Sequence, residues 1–186
     1  MTRRTIDLPP RANRSLVEIE PPAAKHRDAF LAAVARSRRL HGRWVAAPGD
    51  DASYRDWLGR ARRDDYFPYL VSRRDDGALV GVVNVGSVVR GLFQSAYLGY
   101  YALAPNAGRG LMRQGLALVV DRCFGDLELH RVEANVQPEN VRSSALVLGL
   151  GFRLEGYSPR YLKIAGRWRD HERYALLAEE WRRRTD

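Results

Sequence analysis

Cysteine is almost absent from this 186-residue chain. Cys123 stands alone, which excludes an internal disulfide. The four histidines are scattered, and with a single thiol they give no spacing that would hold a metal. Lysine is nearly missing too: Lys25 and Lys163 are the exceptions among 31 Lys and Arg residues. No apolar run approaches the roughly 20 residues that span a bilayer. The charged start Met1-Thr2-Arg3-Arg4 has no apolar stretch behind it and does not read as a secretory signal. These absences set the expectation of a cytoplasmic protein with no membrane contact and no metal.

What is present is ordinary in amount and unusual in kind. Hydrophobic residues make up 45% and charged residues 28%, which fits a globular domain with a substantial core. The net charge is +9, nearly all of it arginine. Arg36-Ser37-Arg38-Arg39, Arg60-Ala61-Arg62-Arg63 and Arg73-Arg74 alternate with Asp50-Asp51, Asp64-Asp65 and Asp75-Asp76. That interleaving reads as a solvated mixed-charge face rather than a dedicated nucleic-acid surface. The surplus still favours an anionic ligand, or RNA or ribosome contact through the basic surface.

Strand and helix patterns alternate without a linker or a repeat. Ser15 to Glu20 alternates like a strand, and 23–39 and 52–63 read as helices. Phe67–Ser72, Leu79–Val89 and Ala96–Leu103 follow as strands joined through Asp75-Asp76-Gly77 and Arg90-Gly91. A helix to Phe124, with Met112, Leu116, Val119 and Cys123 on one side, puts the lone thiol in a core stripe. Strands at 131–136, 152–157 and 172–177, with a helix over 140–150, complete a mixed α/β sheet with helices on both faces. The expected division is a flexible segment 1–14, a domain 15–181 and a basic tail 182–186.

The apolar run Tyr97–Leu103 ends in Ala104-Pro105-Asn106-Ala107, and Gly108-Arg109-Gly110 opens a helix. A strand that turns on glycines into a helix aims free backbone N–H groups and the positive helix end at one spot, where phosphate binds. Two other phosphate loops fail on spacing. A dinucleotide fingerprint from Gly108 meets Arg113 where a small residue belongs, and a P-loop from Gly110 meets Leu116-Ala117 where Lys and Ser/Thr belong.

In order, Asn84 to Gly91, Leu98-Gly99-Tyr100, Gly108-Arg109-Gly110-Leu111-Met112, His130-Arg131, Asn140-Val141-Arg142-Ser143, Leu150-Gly151-Phe152 and Gly166 to His171 resemble the GNAT superfamily of N-acetyltransferases. Within it they are similar to the RimJ-like branch, which acetylates the N-terminal alanine of a ribosomal protein. The resemblance covers Ser15 to Trp181. Pro105 departs from it: the family pattern has Gln or Arg there, and proline has no N–H to offer a pyrophosphate.

The resemblance implies a GNAT fold with a splayed acetyl-CoA cleft and direct acetyl transfer to an amine. It implies cofactor contacts from Tyr101, Ala102, Leu103, Gly108, Arg109, Gly110, Leu111, Met112, Asn140 and Ser143. Oxyanion donors would come from backbone N–H near Tyr101-Ala102-Leu103. Ser143 is a candidate donor to the departing sulfur, Glu133 a candidate base and Tyr157 a candidate acid. Trp44, Asn84, Arg90 and Tyr161 are candidates for the acceptor side. Each has a plainer reading beside it: a helix cap for Asn140, an ion-paired strand residue for Glu133, packing for the aromatics. For His171 the structural reading is the stronger. The acceptor stays open between a protein or peptide N-terminus, a small amine or antibiotic, and a non-catalytic ribosome-associated module. Monomer and homodimer stay open too.

Overall fold

Residues 15–183 are described by the computed structural model; the expected flexible segment 1–14 and the end of the basic tail lie outside them. The chain runs β1 (Val17–Glu20), α1 (Arg27–Arg36), α2 (Arg38–His41), α3 (Asp51–Arg60), β2 (Tyr66–Arg73), β3 (Leu79–Val89) and β4 (Ser95–Ala102). It continues through α4 (Leu111–Phe124), β5 (Arg131–Val136), α5 (Val141–Leu150), β6 (Arg153–Ile164), β7 (Arg167–Leu177) and α6 (Ala178–Arg182). The strands form one sheet in the order β1-β2-β3-β4-β5-β7-β6. Among the described residues β4 and β5 are the parallel pair, and the other neighbours are antiparallel. The GNAT-type mixed sheet expected from the sequence is the sheet found.

Side chains alternate across this sheet because successive Cβ atoms point to opposite faces. Val71, Val83 and Val85 join Leu116, Val119 and Cys123 of α4 on one face. Leu70 and Val82 join Phe30 of α1 and Tyr54 and Trp57 of α3 on the other. Cys123 is fully buried, and burial pushes its thiol pKa up, so it is an inert core residue. No helix among the described residues is long and apolar enough to cross a membrane.

The structure differs from the sequence reading in two places that matter for the site. The single helix expected over 23–39 is broken at Ser37, leaving α1 and α2. Ser37 is buried, its hydroxyl donates to the Ala33 carbonyl at 2.7 Å, and its oxygen accepts from the Ala104 amide at 2.9 Å. A serine that bonds back to the preceding turn competes with the helix and here ties its end to the loop after β4.

The second difference is the β6–β7 hairpin, far longer than the two short strands expected. Ser158-Pro159-Arg160 reads as a break, but the ladder absorbs it as an irregularity between Ser158 and Leu162. Arg160 sits there at φ 50°, its amide donating to Asp170 Oδ1 at 2.7 Å. Ala165 and Gly166, both at positive φ, close the hairpin as a primed turn requires.

Candidate active site

The site begins where the parallel pair comes apart. β4 meets β5 only over Ser95–Tyr97 against Arg131–Glu133. Beyond that point Ala134–Val136 pair with β7 alone, and Leu98–Ala102 pair with β3 alone. One edge of β4 is therefore left without a ladder partner. The Leu103 amide donates to Val80 across β3 at 2.7 Å. Amides alternate along a strand, so those of Tyr100 and Ala102 face the opening. Of the three residues expected to supply oxyanion donors, Leu103 is fully buried and its amide is already taken.

Two cavities meet in this opening. The larger, about 820 Å³, runs along Tyr100, Tyr101 and Ala102 to Gly108, Gly110 and Met112, with Asn140 and Ser143 opposite. The smaller, about 510 Å³, is lined by Asn84, Tyr97, Asn135, Tyr161 and His171. Trp44, Tyr100, Tyr101, Asn140 and Ser143 line both, so the two form one passage through the splay.

The glycine turn closes the larger cavity. Gly108 and Gly110 have φ +78° and +75°, the left-handed region that glycine enters without a Cβ penalty. A Cβ on either would meet nothing within 4 Å, so the backbone there fronts open space. Gly110 is the N-cap of the 14-residue α4 and no side chain caps it. The N–H groups of the first turn are thus unclaimed by a capping side chain. Arg113 and Arg142 line the same cavity, Arg109 is exposed on the turn, and Leu111 is buried below it. Asn106 fixes the loop by donating through Nδ2 to the Leu79 carbonyl at 3.0 Å. Unclaimed amides, a helix dipole and guanidinium groups fit a polyphosphate, even without a donor at Pro105.

At the waist of the passage Asn140 caps α5, its Oδ1 accepting from the Ser143 amide at 3.3 Å. Cap and cavity wall are one role here, so the two readings of Asn140 merge. The Ser143 hydroxyl lies 2.7 Å from that of Tyr100. Burial drives the Tyr100 pKa up and the bond to Ser143 opposes it, so Tyr100 holds its proton at neutral pH and either hydroxyl can donate to the other.

The smaller cavity ends in aromatics. Tyr97 is pushed up to about 12, first by hydrogen bonding with Tyr161, then by burial and the Glu133 carboxylate. The Tyr161 ring lies 6.2 Å from that of His171, centroid to centroid. Asn84 is held by Trp57, whose Nε1 donates to Oδ1 at 3.0 Å.

Other sequence candidates lie elsewhere. Glu133 stands at the vertex of the splay, its Oε1 accepting from Arg131 Nε at 2.7 Å, and is not among the residues lining the passage. Tyr157 is exposed and bonds Asp170, which drives its pKa up, in a separate groove with Trp168. Arg90 is exposed and donates to the Leu127 carbonyl, away from the opening.

Sequence reasoning passed over His41, Tyr100, Arg113 and Arg142. His41 Nε2 meets the Ala102 carbonyl at 2.9 Å on the open edge of β4. The i, i+3 spacing of Gly110 and Arg113 was the available signal for a basic group beside the turn. Among the described residues no cluster of His, Cys, Asp and Glu is arranged to hold a metal.

The chain is similar to known proteins. A family model described as an acetyltransferase (GNAT) domain matches residues 17–153. A probable N-acetyltransferase of Bacillus subtilis, YjcK, is 36% identical over 122 residues, 66% of this chain and 67% of that protein. The [ribosomal protein uS5]-alanine N-acetyltransferase of Escherichia coli is 41% identical over 107 residues, 58% of this chain. The match spans 55% of that relative, a little over half its own length. Among solved structures, Mycobacterium smegmatis RimJ in complex with CoA-disulfide superposes with a TM-score of 0.80 at 32% identity, covering 89% of this chain and 84% of that one.

Proposed function

The chain belongs to the GNAT acetyltransferase family, and from that premise we propose that it moves acetyl from acetyl-CoA to the α-amino group of a protein N-terminus, a ribosomal protein in the first instance. The observation that carries the acceptor is the wall of the smaller cavity, where among the described residues no carboxylate lines the space. Asn84, Asn135, four tyrosines and His171 surround the amine with neutral groups and hydrogen bonds. A polyamine would enter as a polycation with nothing to pair its charge, which is costly once water is excluded. An α-amine has a pKa of about 7.7–8.0 against about 10.4 for lysine, so it enters neutral far more readily. The similarity to the E. coli ribosomal protein alanine acetyltransferase points the same way.

Acetyl-CoA supplies the acetyl group as an activated thioester. The turn at Gly108 and Gly110, with Arg113 and Arg142, holds its phosphates. The Tyr100 and Ala102 amides receive negative charge as it develops on the carbonyl oxygen, where preorganised donors are worth most. Ser143, with the Tyr100 hydroxyl behind it, gives a proton to the departing sulfur. Trp44 and Tyr161 wall the acceptor, and Asn84, fixed by Trp57, offers its amide N–H to the peptide.

Free-thiol release from acetyl-CoA tests this, with a peptide beginning in alanine against spermidine. Release with the peptide at least about tenfold faster is expected, since desolvating the extra charge costs more than 1.4 kcal/mol. Faster release with spermidine overturns the acceptor assignment and leaves the family intact.

A further inference from the structure

Resting on that reading, we infer that His171 is the general base of the transfer, its Nε2 taking the proton that the acceptor amine sheds. His171 is 2% exposed, yet it is among the residues that line the smaller cavity together with Ser143. Nδ1 lies 2.9 Å from the Arg169 carbonyl. A carbonyl only accepts, so Nδ1 carries the hydrogen and Nε2 carries the lone pair. Among the described residues no hydrogen bond engages Nε2. The arrangement is an imidazole of fixed tautomer with its basic nitrogen free at the acceptor end of the passage.

The surroundings keep that nitrogen deprotonated. Burial lowers the His171 pKa, against smaller opposing effects of the Arg169 carbonyl and the Asp170 carboxylate. The ionisable neighbours are Asp170 and Glu172 on β7, Tyr161 on β6 and, through Tyr161, Tyr97 on β4. Gln137, just past β5, lines the same cavity and is neutral. Asp170 spends its oxygens on Tyr157 and the Arg160 amide, which leaves the imidazole without a close carboxylate partner. Glu133, the other candidate, is ion-paired with Arg131 and stands off the passage.

The step balances as follows. The neutral amine forms a bond from its nitrogen to the acetyl carbon, and the excess proton on that nitrogen moves to Nε2. The carbon–sulfur bond breaks with its electron pair on sulfur, which takes a proton from Ser143. Ser143 recovers its proton through Tyr100 and water, and Nε2 releases its own to water. One proton has moved, in net, from nitrogen to sulfur.

His171→Asn keeps a donor for the Arg169 carbonyl and removes Nε2, and His171→Gln serves as a second variant if the first does not fold. The rate of acetyl transfer is measured between about pH 6.5 and about pH 10, spanning the amine's own titration. Near neutrality the variants should lose about 100-fold or more in kcat, the lower end for a general base. The deficit should shrink above about pH 9, where hydroxide takes over removal of the proton that Nε2 otherwise accepts. CoA affinity by calorimetry should stay within about threefold, because the imidazole lies off the larger cavity. A deficit equal at every pH means a structural role and overturns the inference. If wild type acts on a small amine and not on the peptide, the acceptor assignment fails, and the same profile is read with that amine. Nitrogen NMR of wild type at neutral pH decides independently of turnover. The neutral Nδ1–H tautomer is expected, and an Nε2–H tautomer or an imidazolium overturns the assignment.

Discussion

Ser143 and Tyr100 share a 2.7 Å hydrogen bond at the waist of the passage, across which either hydroxyl can donate. Burial keeps Tyr100 protonated, so it can donate to Ser143 when the serine hydrogen turns to a group in the cavity. On the mechanism proposed above, Ser143→Ala removes the proton donor to the departing sulfur while leaving the α5 backbone and its cap in place. A fall in kcat of about 100-fold with CoA affinity nearly unchanged is expected for the loss of a general acid. Single-turnover kinetics and calorimetry on the variant check both halves. Tyr100→Phe should cost less, about tenfold, because Ser143 keeps its own hydrogen. At this scale the sequence was legible where a residue carries a motif, as with Asn140, Ser143, Gly108 and Gly110. It was silent where a role depends on a partner far along the chain. Tyr100 and Ser143 are 43 positions apart, and neither spacing nor type announces the bond. His171 becomes more than a packed strand residue only when its tautomer is known, and that follows from a carbonyl two residues away.

The elements around the site are held by local devices whose cost is measurable. Asn140 caps α5 and lines the passage, so its two roles separate by substitution. Asn140→Ala should lose about 1 kcal/mol of stability, the usual price of a cap, whereas Asn140→Asp should lose almost none. Thermal unfolding of the two variants checks this, and both should bind CoA less well than wild type if the amide touches it. Gly81 on β3 is a second such position. A Cβ there would stand 2.5 Å from the Tyr101 carbonyl oxygen and would also press on Met112, both beside the cavity. Gly81→Ala should destabilise by about 1–3 kcal/mol, the range for overpacking, and should weaken CoA binding through displacement of β4. Denaturant titration with calorimetry on one preparation tests the coupling. Most elements were legible as patterns: β3, α4 and β5 lie within a residue or two of their sequence bounds. The extension of β6 and β7 was not, because Pro159 and a turn-like Ser158-Pro159-Arg160 mask a strand that tertiary pairing restores. The break at Ser37 was hidden for the opposite reason, since its partner Ala104 lies 67 positions away.

For the molecule as a whole the splay needs a closed end, and charge supplies it. Arg131 on β5 reaches Glu133 on its own strand and Glu155 on β6, and Arg153 carries the network on to Glu180 of α6. These pairs bridge β5, β6 and the C-terminal helix at the vertex from which the passage opens. The Arg131 guanidinium, chiefly through its hydrogen bond, holds the Glu155 carboxyl below its usual range of about 4.5. The sign follows from linkage. A carboxyl with a depressed folded pKa adds stability that is present above its unfolded pKa and is lost as pH falls through the folded one. The melting temperature should therefore hold through neutral and mildly acid pH and fall below about pH 4.5. Exposed aspartates with lowered pKa, among them Asp65 and Asp75, add to that fall, so the vertex is isolated by difference. Glu155→Gln should melt lower than wild type at pH 7 and approach it as the solution is acidified. Arg131→Met should melt lower still, because it takes the ion-pair partner from Glu133, which is 8% exposed. Breaking such a buried pair from one side costs about 3 kcal/mol. Parallel CoA titrations complete the argument: if the vertex sets the angle of the splay, Arg131→Met binds CoA more weakly at temperatures where it is fully folded, and equal affinity would confine the network to stability.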